Sequence, residues 1–317
     1  MTVAELHLHL DGYLAVREAL GFRLQAERTL LRDFIRFIEA RGCAVPIRAH
    51  IAVEWATSSS SSHGASGQAN RLSMARKFLS HLRATFPETE VPDQGLVVAP
   101  QRPKPYLFSQ QEIDSLILAA SSAGPRGSLR PHTLSTLIGL LASTGLRIGE
   151  AIRLTVNDVK LHVEPPHLLV RETKFGKSRL VPVHSTTSAI LGQYADHRVR
   201  LGYDALSDAF FVSERGGHLD HNSLWVWFGR LNRRLGIHPA DGSRRPCFQC
   251  VRHTFAVRRM VAWYQEGLNV QALLPNLSIY LGHVRPQESY WYLTATPELL
   301  NSAAERFRVY ALPGGEQ

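Results

Sequence analysis

The sequence predicts a mainly α-helical chain of two domains, the second with a small antiparallel β-sheet. Three observations predict it. The first ~90 residues hold consecutive stretches with apolar residues at helical spacing. A proline-rich stretch without periodicity, PETEVPDQGLVVAPQRPKP, follows them. Beyond it, helical stretches are interrupted once, by two runs of apolar and β-branched residues around KFGK. The expected division is residues 1–90 as a helical domain, 91–106 as an extended linker and 107–317 as an α-rich domain.

In the first domain LAVREALGF and ERTLLRDFIRFIEARG read as helices, with Gly42 where a C-terminal stop belongs. IRAHIAVEWAT is a third, shorter helix. TSSSSSHGASG is a low-complexity loop. NRLSMARKFLSHLRATF is a fourth helix. Its Arg71, Arg76, Lys77 and Arg83 form either a solvated basic face or one turned to DNA.

The second domain opens at a capping box. Ser109 caps QQEIDSLILAA, Glu112 reaches back, and Phe108 staples to Ile113. HTLSTLIGLLAST is a helix ending at Gly145, and another runs from near Arg147 to about Leu154. HLLVRET and SRLVPVH form a hairpin. Helices are expected around 185–200, 221–235, 252–266, 270–281 and 286–293, with one more from Pro297 to Val309.

The length allows two hydrophobic cores. A hydrophobic fraction of 44% with 20% charged residues is ordinary for a soluble globular protein. The net charge of +9 and pI of about 9.8 favour a polyanionic partner. Lysine occurs only at Lys77, Lys104, Lys160, Lys174 and Lys177; the other cations are arginines, which suit bidentate phosphate contacts. Three cysteines, Cys43, Cys247 and Cys250, and the absence of a secretion-like N-terminus point to a reducing, cytoplasmic setting. No apolar run reaches 18 residues, so no membrane span is expected.

Five polar residues lie at expected helix ends and turns, where side chains can converge on a rigid scaffold. They are Arg147 in STGLRIGEAIRLT, Lys174 in ETKFGKSRLVPV, Arg252 opening a helix in CVRHTFAVRR, His283 in IYLGH, and Tyr292 nine residues later. The set suits a phosphodiester. Two arginines can clamp non-bridging oxygens. A tyrosine hydroxyl can attack phosphorus. A lysine can protonate the leaving alkoxide, and a histidine can donate to a phosphate oxygen. No metal or other cofactor is called for. Each residue also has a plainer reading: Arg147 can pair with Glu150, Lys174 can be solvated, His283 can end a helix, and Tyr292 can be a core aromatic.

Order and spacing favour the chemical reading. ASTGLRIGEAIRLTVNDV resembles the first arginine box of the tyrosine recombinases, the phage integrase family. ETKFGKSRLVPV resembles their hairpin lysine segment, VRHTFA their second arginine box, and LGH with Tyr292 their nucleophile box. The resemblance spans about residues 105–310. Residues 1–90 are similar in architecture to the family's core-binding, DNA-binding domain. The resemblance implies the tyrosine recombinase fold, closed around double-stranded DNA, with a nucleoid-associated location. Tyr292 would cut one strand through a 3′-phosphotyrosyl bond in DNA integration or transposition. Working assemblies would be homo- or hetero-tetramers on DNA. ESYWYLTATPELLNSAAERF resembles the subset encoded in groups of three on mobile elements, which implies sister recombinases as partners.

One position departs from the family pattern. Three residues before Arg252, where the family has histidine or lysine, stands Gln249. Glutamine can hydrogen-bond a phosphate oxygen but cannot transfer a proton. A DNA-binding accessory protein that has lost cleavage is the alternative this raises. A type IB topoisomerase would share the chemistry. Two metal readings compete locally. AELHLHLDG is similar to the opening of zinc amidohydrolases, with His7, His9 and Asp11 as ligands at a barrel strand. Cys247-x-x-Cys250 with His253 has zinc spacing but needs a fourth ligand, and Cys43 lies in the other domain.

Overall fold

The computed structural model describes residues 3–22, 24–42, 46–58, 64–98, 104–125, 127–171, 178–239 and 245–283. Cys43, Lys174, Tyr292 and the helices expected at 286–293 and 297–309 lie outside the described residues. The chain divides into two compact units, Met1–Arg102 and Pro103–Gln317.

The first unit is helical: α1 (Val3–Ala19), α2 (Gln25–Ala40), α3 (Ala49–Thr57) and α4 (Ala65–Leu82). Each buries one stripe. Leu6, Leu10, Tyr13 and Leu14 of α1 meet Leu31, Phe34, Ile35 and Ile38 of α2, with Trp55 of α3 and Phe78 and Leu79 of α4. α1 starts earlier than LAVREALGF because Leu6 and Leu10 continue the buried stripe. His7 and His9 therefore sit on a helix, which overturns the barrel-strand reading. His7 bonds Glu39 at 2.9 Å, and His9 meets the edge of Phe86. Among the described residues no group of three or more His, Cys, Asp or Glu is placed to hold a metal.

The basic residues of α4 are not one surface face. Arg71 is buried. Its guanidinium lies 4.0 Å over the Trp55 ring and donates to the Trp55 carbonyl (3.1 Å) and to Asp33 (3.3 Å). Trp55 Nε1 donates to the same Asp33 oxygen at 3.0 Å. Arg76 donates to the carbonyls of Pro92 and Asp93. Val91 and Val97 pack on the helical core, so residues 91–97 run back along this unit.

The second unit is α5 (Gln110–Ala120), α6 (Arg130–Thr144), α7 (Ile148–Ala151), β1 (Val159–Lys160), β2 (His167–Val170), β3 (Arg179–Pro182), α8 (Ser185–Arg200), α9 (His221–Arg234), α10 (Phe248–Gln265) and α11 (Val270–Leu281). The expected capping box starts α5. Ser109 Oγ accepts from the Glu112 amide (3.1 Å), and the Ser109 amide donates to the Glu112 carboxylate (2.7 Å). The sheet is antiparallel in the order β1-β2-β3, with Leu168 opposite Val181 and Val170 opposite Arg179. β1 is an addition to the expected hairpin.

Two helix ends differ from expectation, for tertiary reasons. α7 stops at Ala151 rather than near Leu154. The Leu154 carbonyl accepts from the Phe210 amide and the Val156 amide donates to Asp208 (2.8 Å each), which draws the chain into extended pairing. α10 starts at Phe248, four residues before the expected 252. Phe248 stacks on Phe228 at 4.1 Å within the core. Arg252 thus lies one turn inside α10 and does not open it. Val257, Met260, Leu274, Leu277 and Leu281 form a separate apolar seam between α10 and α11. No helix among the described residues is long and apolar enough to cross a membrane.

Arg71→Ala removes a desolvated cation–π contact and the donor to the Trp55 carbonyl. We expect a loss of about 2–4 kcal/mol in urea unfolding. Arg71→Lys should recover part of it, and a change within experimental error for Arg71→Ala would contradict this role.

Candidate active site

A helix ends with carbonyls that lack intrahelical partners and with partial negative charge. At the end of α11 this need is met by arginines. Gly282 adopts the left-handed conformation (φ +68°), and the His283 amide turns back to the Ser278 carbonyl at 2.9 Å. The three preceding carbonyls point outward, and each accepts from a different arginine. Arg179 Nε donates to Tyr280 O (2.9 Å), Arg252 Nη2 to Leu281 O (2.6 Å), and both Arg147 Nη atoms to Gly282 O (3.3 Å).

Three elements deliver these arginines. Arg147 precedes α7, after the left-handed turn at Gly145. Arg252 is fully buried in α10; its Nη1 donates to Gly145 O at 2.8 Å, so two of its five N–H donors fix the guanidinium plane. Arg179 opens β3 and shares the inward face with Val181, leaving Leu180 exposed. Both glycines are also tight. A Cβ at Gly145 would lie 2.4 Å from Phe255 Cδ1, and one at Gly282 would lie 2.6 Å from Arg179 Nη1.

Glu150 binds two of the three arginines. Arg147 Nη1 donates to Oε1 (2.8 Å), and the Arg147 amide donates to Oε2 (3.1 Å). Arg179 donates through Nη1 (3.2 Å) and Nη2 (2.8 Å). Burial pushes this carboxyl up, but the bonds and charges of Arg179 and Arg147 outweigh it and hold it at about 2. Among the described residues this sets three guanidinium groups against one carboxylate, a surplus of positive charge. His283 feels that surplus. Burial first, then Arg252, Arg147 and Arg179, bring its pKa down to about 3, so the imidazole is neutral near pH 7.

The arrangement is thus a cationic pocket with a neutral imidazole beside it. Of the residues singled out from the sequence, Arg147, Arg252 and His283 meet at the α11 terminus. Gln249, half-buried in the first turn of α10, lies three residues before Arg252 and so on the same helix face. Lys174 and Tyr292 are outside the described residues. Arg147 does pair with Glu150, as its plainer reading held, and it is at the pocket as well. Arg179 went unrecognised. The signal for it was strand alternation: in RLVP the arginine shares a face with Val181 and not with Leu180.

The sequence matches the phage integrase family over residues 107–298. It is 38% identical over 302 residues to the putative integrase/recombinase y4rB of Sinorhizobium fredii, covering 94% of this chain and 95% of that protein. Among solved structures, the Tn1549 transposon integrase in complex with transposon right-end DNA shares the fold. Its TM-score is 0.63 at 18% identity, covering 97% of this chain and 99% of that one. A lambda integrase tetramer bound to a Holliday junction gives 0.61 at 18% identity, covering 90% and 76%.

Arg179→Met leaves Glu150 one guanidinium short and uncovers the Tyr280 carbonyl. It should destabilise the protein by about 3 kcal/mol in urea unfolding. Arg179→Lys should restore little, since an ammonium cannot span both sites. Acid should act in two stages. As pH falls from about 6.5 towards 3, the unfolded chain takes up a proton at His283 that the folded chain refuses, so stability drops. Glu150 adds its own loss below about 4.5. In urea midpoints measured against pH, His283→Asn should flatten the slope between 6.5 and 4.5; an unaltered slope would overturn this account.

Proposed function

The chain belongs to the phage integrase family, the tyrosine recombinases, and on that premise we propose that it cuts and rejoins double-stranded DNA through a 3′-phosphotyrosyl bond to Tyr292. The observation that carries the proposal is the gathering of Arg147, Arg252 and Arg179 on the last carbonyls of α11, beside His283 and nine residues before Tyr292.

In this reading Arg147 and Arg252 hold the non-bridging oxygens of the scissile phosphate. Their planes are fixed in advance, so little reorganisation is needed as charge builds in the transition state. His283, neutral near pH 7, donates an N–H to a phosphate oxygen; the phosphate's own charge offsets the surrounding cations. Tyr292 Oη bonds to phosphorus, the bond to the 5′ oxygen breaks, and Lys174 gives that oxygen its proton. The 5′ hydroxyl of a partner strand later displaces the tyrosine. Because the ester energy is kept in the phosphotyrosine, resealing needs no nucleotide. Gln249 contributes a hydrogen bond to the phosphate and no proton transfer.

The proposed setting is DNA integration or transposition. The assembly is a tetramer on DNA, as in the lambda integrase complex. The ESYWYLTATPELL segment supports joint action with sister recombinases. The alternative is an accessory protein that binds DNA without cutting it, and Gln249 is the residue that favours it.

One experiment separates the two. Nicked duplexes drawn from the DNA flanking the gene trap a cleaved strand on the protein. A covalent adduct should form with the wild type, persist in a chelator, and vanish in Tyr292→Phe. Retained DNA binding with no adduct on any such duplex would establish the accessory reading.

A further inference from the structure

Cys-x-x-Cys at the start of α10 has no part in the proposed cleavage. Cys247 is the N-cap residue of α10 and Cys250 the third residue of the helix. The Cys250 amide donates to the Cys247 carbonyl at 2.8 Å, and this turn brings the two sulfurs to 3.4 Å. That is van der Waals contact. A covalent S–S bond of about 2.05 Å is reached by an approach of about 1.4 Å. The sulfurs differ in surroundings. Cys250 is fully buried, and its thiol donates to the Arg245 carbonyl. Cys247 is half-buried, at the helix end where negative charge is stabilised. The contact with Cys247 and burial push the Cys250 thiol up, and the more exposed Cys247 is the sulfur that an external disulfide can reach.

We infer that Cys247 and Cys250 form a reversible disulfide that locks the first turn of α10 and slows the reaction at the neighbouring pocket. The electrons go to a low-molecular-weight disulfide. The Cys247 thiolate attacks it and expels one thiol; Cys250 then gives up its proton, attacks the mixed disulfide at Cys247 and expels the second. Two protein thiols are oxidised and one external disulfide is reduced to two thiols.

The closed ring spans Phe248 and Gln249. Phe248 is held by its stack on Phe228, and Cys250 by the core. The approach therefore falls on Cys247 and on the backbone that carries Gln249, three residues before Arg252. A misplacement of about 1 Å near a reacting centre can cost on the order of 100-fold in rate. In a reducing compartment the pair is open, and it closes when the thiol pool is oxidised. The slowing rests on the recombinase reading; the disulfide does not.

Full-length protein is incubated with oxidised glutathione, unfolded in the presence of an alkylating agent and mapped by peptide mass spectrometry, before and after dithiothreitol. Adduct formation on the nicked duplexes is timed in the same samples. The expected result is a Cys247–Cys250 peptide lighter by two hydrogens, a cleavage rate at least 10-fold lower, and recovery of both with dithiothreitol. Cys247→Ser keeps a good N-cap and should cleave at the rate of the dithiothreitol-treated wild type whatever the oxidant. Persisting alkylation of both thiols, or oxidation that links Cys43 instead, overturns the disulfide. A disulfide with an unchanged rate overturns the regulation. If the reduced protein forms no adduct at all, the recombinase reading fails while the thiol map still stands.

Discussion

The second unit is organised around the unmet carbonyls at the end of α11. A helix terminus that is partly buried must find donors for its last peptide groups, and here three come from three separate parts of the chain. Arg179 comes from a strand, Arg252 from the neighbouring helix and Arg147 from the turn after α6. Each satisfies the helix and is in turn oriented by it. The scaffold and the pocket are therefore one set of hydrogen bonds: whatever loosens the helix end also disorders the cations, and whatever removes a cation exposes the helix end.

Glu150 makes the cluster tolerable without neutralising it. Bridging Arg147 and Arg179, it keeps two like charges close and gives both a defined geometry. Arg252 donates to the carbonyl oxygens of Gly145 and Leu281. Burial, together with the field of Arg252, Arg147 and Arg179, holds His283 neutral near pH 7. The left-handed glycines at 145 and 282 are part of this design, because a β-carbon at either would collide with Phe255 or with Arg179 itself.

Much of this was legible where the determinants are local. The Ser109–Glu112 cap, the apolar stripes of α2 and α11 and the Gly145 stop all follow from neighbours within a turn or two. Arg147, Arg252 and His283 were legible as an ordered set of motifs, and Gln249 as a departure from one. What was not legible depends on partners distant in sequence. α10 begins early because Phe248 finds Phe228, and α7 ends early because Leu154 finds Phe210. Arg71 looked like a surface cation until Trp55 and Asp33 closed around it. Arg179, beside a polar turn, reads as solvated; its burial is set by Glu150 and by a carbonyl 101 positions away.

The charge surplus at the α11 terminus also has a cost away from any reaction. Guanidinium groups crowded into a low-dielectric site repel one another, and a multivalent anion relieves that repulsion only in the folded chain, where the groups are held together. Occupancy and folding are thus thermodynamically linked: any polyanion held there makes the folded chain harder to unfold, and its loss leaves the chain more open to proteolysis.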